Sequence, residues 1–227
     1  MAFTVRSLLP KVQVFRKDLE EERSLFAIQE SVRKVCRMTG YAQTTLAPVT
    51  VIAAPTIDLS TLMTAFTPST VYRIMLVRLL DPTLNAYKVL YEYNSTSIDG
   101  HESYRNYATG YPSGWAYKGH SILEIFPTPD KVYTLEVTVS YIPDGEIETI
   151  PLPAEAEEAI VAGALASVLM QPGPGQNMGL AKDRELQHNR ELDFLKANAL
   201  LGQSGRPKAS GRNLATRAIR IYDNRWS

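Results

Sequence analysis

Residues 132–170 read VYTLEVTVSYIPDGEIETIPLPAEAEEAIVAGALASVLM, and the hydrophobic period changes inside this stretch. Tyr133, Leu135, Val137, Val139 and Tyr141 alternate with Thr134, Glu136, Thr138 and Ser140. That is the pattern of a strand with one buried and one wet face, and the split between faces predicts an antiparallel sheet. Beyond Pro151 and Pro153 the period becomes helical, with Ile160, Val161, Leu165, Val168 and Leu169 on the apolar side. Glu155, Glu157 and Glu158 stand in the first turns, where the positive end of the helix dipole favours acids. Ala162, Gly163, Ala164 and Ala166 make one flank small enough for another helix to approach closely. A strand that gives way to a helix at a pair of prolines predicts an α+β chain whose β part ends near residue 149.

Downstream, Gln171–Asn177 reads as a linker and Met178–Leu201 as a second helix, with Leu180, Leu192, Leu195 and Leu200 among many charges and Gly202 as its terminator. Upstream, period 2 holds from about Pro48 to Pro143. Tyr87–Tyr93 alternates as one strand, Ser121–Phe126 and Val71–Leu79 are shorter or more apolar candidates, and Pro127-Thr128-Pro129-Asp130 is a tight connection. The Asn94–Gly114 stretch, carrying Tyr104, Tyr107 and Tyr111, is too long for a casual loop and reads as a contact loop. At the start of the chain, Leu25, Ile28, Val32 and Val35 recur at helical steps, with Ser24 as a cap and Gly40 as a stop. A shorter helical stretch carries Leu8, Leu9, Val12 and Phe15, kinked or opened by Pro10. The predicted organisation is a helical domain from both chain ends (1–44 and 150–202), an inserted antiparallel β domain (45–149) and a basic C-terminal arm (203–227).

Composition fits that division. With 44% hydrophobic and 21% charged residues over 227 positions, there is ample material for a core, and disordered or collagen-like structure is excluded. The longest apolar run, Ala159–Met170, falls short of the ~20 residues a membrane-spanning helix needs. Arg6, Pro10 and Lys11 interrupt any secretory apolar core near the N-terminus. A lone cysteine, Cys36, cannot form an internal disulfide, so a reducing cytoplasm is the expected place of synthesis. The net charge of zero conceals a partition: +3 over residues 1–44, −5 over 45–149, −3 over 150–202 and +5 over 203–227. An acidic body with a basic end predicts a partner unlike the body, either nucleic acid or an acidic protein surface.

Motifs for chemistry fail one by one. Gly119-His120-Ser121 resembles the start of a nucleophile elbow, but Leu123 stands where the last glycine belongs and the serine leads into a strand. Gly173-Pro-Gly175-Gln-Asn-Met-Gly179 has its last glycine one residue late and follows a helix, so it is a helix–helix linker. Glu185, His188 and Glu191 have the spacing of carboxylate-bridged metal sites, yet the other two histidines, His101 and His120, lie in unrelated segments, and a solvated helix face is the expectation. Cys36 falls on an apolar helix face and reads as structural. No catalytic residue, metal or cofactor is expected.

The order of parts resembles the head-to-tail adaptor (connector) proteins of tailed bacteriophages, including the tail tubular protein A type. The likeness is carried by Val5–Phe15 with Ser24–Arg37, by Gly114-Trp115 through Ile125-Phe126-Pro127-Thr128-Pro129 to Val137–Pro143, and by Leu152-Pro153-Ala154-Glu155. It implies a helical bundle from the two termini with a β domain between. It further implies a structural virion protein, made in the host cytoplasm, that forms a ring of twelve subunits on the portal protein. Such a ring extends the DNA channel without specific DNA binding, carries tail or nozzle proteins and touches no membrane. By the same resemblance, Arg217, Ile219, Arg220, Ile221, Tyr222, Arg225 and Trp226 of the arm are expected to contact the portal or a neighbouring subunit. The rival expectation is a nucleic-acid-binding protein that sets the six Lys/Arg of the arm against phosphates, with Tyr222 and Trp226 stacking on bases.

Overall fold

Val5, Leu8 and Val12 are all buried on one face of helix α1 (Val5–Gln13), which opens on a Thr4 side-chain cap and carries Pro10 inside it. Helix α2 (Glu21–Thr39) buries Ile28, Val32 and Val35, and ends at Gly40, whose φ of 65° lies in the left-handed region and whose N–H bonds to Cys36 O. Ser24 is not its cap: α2 begins three residues earlier, and the Ser24 side chain is fully buried inside it. The computed structural model describes residues 3–51, 56–60, 69–81, 86–93, 109–118 and 122–203. Through these the chain is mixed α+β, with helices of both termini packed together and antiparallel sheets between them in sequence.

A 3-10 turn (Ala154–Ala156) leads into helix α3 (Glu157–Met170), and helix α4 (Met178–Gln203) follows the linker. Helix α3 is apolar all round because it is surrounded: α1, α2 and α4 each pack against it. Val32, Val35, Leu165 and Leu169 are all in this core, at no more than 2% exposure. Asn177 Oδ1 accepts from Leu180 N at 3.0 Å and so caps α4. Gly202 does not terminate α4, which continues through Gln203. The N-terminal segment is also tied to the stretch before α3: Val5 N donates to Glu148 O and Ile150 N to Phe3 O. This helical unit takes in residues 3–43, 69–70 and 141–203.

The β unit contains two four-stranded sheets and a short two-stranded one. The first runs in the order β1 (Gln43–Val51), β10 (Tyr133–Pro143), β3 (Ser69–Asp81), β4 (Ala86–Val89). The second runs β2 (Thr56–Asp58), β8 (Ile122–Phe126), β7 (Gly114–Tyr117), β5 (Tyr91–Tyr93). Along β10, Tyr133, Leu135, Val137 and Val139 are buried and alternate with half-buried Thr134, Glu136 and Thr138 as the sequence pattern predicts, but the pattern fails at its end, where Ser140 is 1% exposed and Tyr141 is only half-buried. The alternating stretch at Tyr87–Tyr93 is not one strand. It breaks at buried Leu90: β4 pairs antiparallel with β3, while β5 pairs parallel with β7. Leu90 N still bonds to Val77 O at 2.9 Å and Tyr91 N to Ser113 O at 3.2 Å, so the chain passes from one sheet to the other across a single residue. A second parallel pair joins β6 (Thr109–Gly110) to β9 (Thr128–Pro129), within the proline-rich connection. These two parallel pairs modify the purely antiparallel expectation.

Candidate assembly site

The most elaborate polar constellation among the described residues lies where α3 ends and the linker begins. Arg16, just beyond α1, is 1% exposed. Its Nη1 donates to Val168 O at 2.8 Å and to Gln171 O at 3.0 Å, carbonyls at the end of α3, where Val168 O also accepts from Gln171 N at 3.2 Å. Its Nε and Nη2 meet the two oxygens of Asp18 at 2.9 and 3.0 Å, a fork-to-fork pair. The hydrogen bond from Arg16 holds the Asp18 carboxyl below the usual carboxylate range, and the Gly175 backbone adds to it.

This pair explains the glycines of the linker. A Cβ at Gly175 would stand 2.7 Å from Arg16 Cδ and 2.8 Å from Asp18 Oδ1, and one at Gly173 would meet Arg16 Nη2 at 3.0 Å on a backbone with φ of 144°. The glycine run is shaped to cover a buried guanidinium, a role invisible when it is read only as a connection. A signal was present: an arginine closing an apolar helical stretch, with an aspartate two residues on, is an ion pair that one turn can form.

Helices α1, α3 and α4 line a separate cavity of about 160 Å³. Val161, Ala162 and Leu165 supply apolar lining, and Lys11, Glu157 and Arg184 supply charge. Lys11 and Glu157 are ion-paired, while Arg184 lies over the Phe15 ring at 5.3 Å and donates to Gln187. Glu158 also lines the cavity, and no serine, cysteine or histidine stands among the lining residues.

The expected solvated face at Glu185, His188 and Glu191 is corrected in its middle residue. Glu185 is exposed, but His188 is 1% exposed and its Nδ1 lies 2.7 Å from Ala159 O. The missed signal was spacing, since Ala181, His188, Leu192 and Leu195 follow steps of seven, four and three on one stripe. Among the described residues no cluster of His, Cys, Asp and Glu could hold a metal, and no helix is long and apolar enough to cross a membrane. Burial pushes the Cys36 thiol up to about 12, so this cysteine is protonated and structural. Gly119-His120-Ser121, His101 and the arm set Arg217, Ile219, Arg220, Ile221, Tyr222, Arg225 and Trp226 lie outside the described residues.

Compared with known protein families, residues 4–218 match the SU10 adaptor protein family. The curated proteins contain no match to the chain.

Proposed function

This chain belongs to the SU10 adaptor protein family of phage head-to-tail adaptors, structural proteins rather than enzymes, and on that premise we propose that it forms the ring joining portal to tail. The observation carrying the reading is the extent of the match: residues 4–218 include both helical ends and everything between them. In the proposed role, twelve subunits extend the DNA channel within the virion. An acidic body suits such a channel, because fixed negative charge repels phosphates and lets DNA slide without specific binding. The basic arm supplies attachment, with Arg217, Ile219, Arg220, Ile221, Tyr222, Arg225 and Trp226 contacting the portal or a neighbouring subunit. Arg217 falls within the family match, and the rest of the set follows its end at residue 218.

Electron micrographs of the protein alone and mixed with portal rings test the reading. Rings stacked on the portal are expected from the full chain, and none from a chain truncated after Gln203, where α4 ends. Full-strength attachment by the truncated chain would refute the arm role. The +5 charge of residues 203–227 favours one second reading, binding of nucleic acid. Salt separates the two: phosphate binding weakens steeply as salt rises, whereas an arm anchored by Ile219 and Trp226 weakens less.

A further inference from the structure

Ser31 of α2, Gly163 of α3 and His188 of α4 meet at one point of the helical unit. A Cβ on Gly163 would stand 2.4 Å from Ser31 Oγ and 2.8 Å from His188 Nδ1 and Cε1, so the three helices touch there with no spare room. Ser31 Oγ donates to Ile160 O at 2.8 Å, and His188 Nδ1 reaches Ala159 O at 2.7 Å. A carbonyl only accepts, so Nδ1 carries the ring proton and Nε2 is left as the basic nitrogen. Nε2 is buried and has no hydrogen-bond partner among the described residues.

We propose that His188 is an acid-sensitive latch that holds α4 against α2 and α3 while the imidazole is neutral. Taking a proton from solvent at Nε2 would turn a buried lone pair into a buried donor without an acceptor, and place a positive charge in the core. From α2, Lys34 adds like charge and opposes protonation; from α4 itself, Glu185 favours it. The stretch of α3 against the ring, Ala159–Ala166, carries no ionisable side chain. Burial is the largest influence and holds the imidazole below its ordinary range. The latch stands independently of the adaptor reading, although α4 leads directly into the proposed arm.

The sign follows from linkage. A base whose folded pKa is depressed contributes its full stabilisation above the ordinary histidine value and loses it as pH falls below that value. Amide hydrogen exchange across α4, corrected for intrinsic rates and measured on the full chain from pH 7.5 to 5.5, reads this directly. Opening is expected to grow by up to about tenfold for each pH unit below the ordinary histidine value, one proton being taken up per opening. In His188→Asn, whose side-chain amide can replace the donor to Ala159 O, the dependence should disappear. A flat wild-type profile, or an unchanged slope in His188→Asn, overturns the proposal. Should the variant not fold, the imidazole resonances of the wild type decide: His188 must stay neutral as the pH falls below the ordinary histidine value, and its titration at that ordinary value overturns the latch.

Discussion

The guanidinium of Arg16 donates to the carbonyl of Val168 at 2.8 Å, across 152 positions of sequence, and so ties the N-terminal segment to the end of α3. Replacing Arg16 by Met would take one of two donors from Val168 O, remove the donor to Gln171 O and leave Asp18 without its cation. The expected cost is about 1–3 kcal/mol, read as a lower denaturant midpoint at unchanged slope. Arg16→Lys should recover only a small part, because a point charge cannot serve two carbonyls and a bidentate carboxylate together. Full recovery by lysine would show that charge, and not the planar fork, matters at this position.

Asp18 gives the same junction an acid dependence. Its folded pKa is depressed, chiefly by the Arg16 hydrogen bond, so its contribution is present above the ordinary aspartate value and lost as pH falls through the folded one. Asp18→Asn should therefore be less stable than wild type at pH 6, and the two melting curves should converge as the pH is taken well below the ordinary aspartate value. Parallel curves across that range would remove Asp18 from the account of the clamp.

Two helical glycines should respond oppositely to alanine. At Gly163 the added methyl collides with Ser31 and His188 at 2.4 and 2.8 Å, whereas at Gly179 it meets only Asn177 Oδ1 at 3.6 Å, an ordinary contact. Gly163→Ala should destabilise by about 1–3 kcal/mol through overpacking. Gly179→Ala should be neutral or stabilise by up to about 1 kcal/mol through helix propensity. Thermal melts of the two variants beside wild type test the pair, and equal effects of one sign would contradict the assignment of Gly163 to the three-helix contact.

The parts of this fold that sequence made legible are those in which one face of an element differs from the other. Leu135, Val137 and Val139 announce β10 because Glu136 and Thr138 stand between them, and Ile28, Val32 and Val35 announce α2 because charges fill the remaining steps. What escaped was set by partners far along the chain. Leu90 stands with Lys88 and Glu92 at the wet steps of the run, an apolar residue out of place, but only the separate demands of β3 and β7 show that the strand breaks there. His188 sits among charges on α4, and only Gly163 on α3 makes room for it. Arg16 escaped for the same reason, since the carbonyls it serves belong to residues 168 and 171.

The break at Leu90 gives a test within the β unit. Leu90 is 2% exposed and its neighbour Tyr91 43% exposed, the reverse of the alternation that sets Tyr87, Val89, Tyr91 and Tyr93 against Lys88, Leu90 and Glu92. If the chain changes sheets here, the Leu90 side chain fills the interior at the switch and its backbone N–H is held by Val77 O. Leu90→Ala should then cost about 2–4 kcal/mol for the lost burial and the cavity left behind. Tyr91→Ala should cost well under 1 kcal/mol, as surface substitutions do. Leu90→Pro removes the N–H that bonds to Val77 O and should be more damaging than Leu90→Ala, although both lose the same leucine side chain. Denaturant unfolding of the three variants checks the order proline, alanine, then Tyr91→Ala. A continuous strand with Tyr87, Val89, Tyr91 and Tyr93 on its buried face would instead bury Tyr91 and expose Leu90, and a Tyr91→Ala loss as large as that of Leu90→Ala would support that arrangement over the switch.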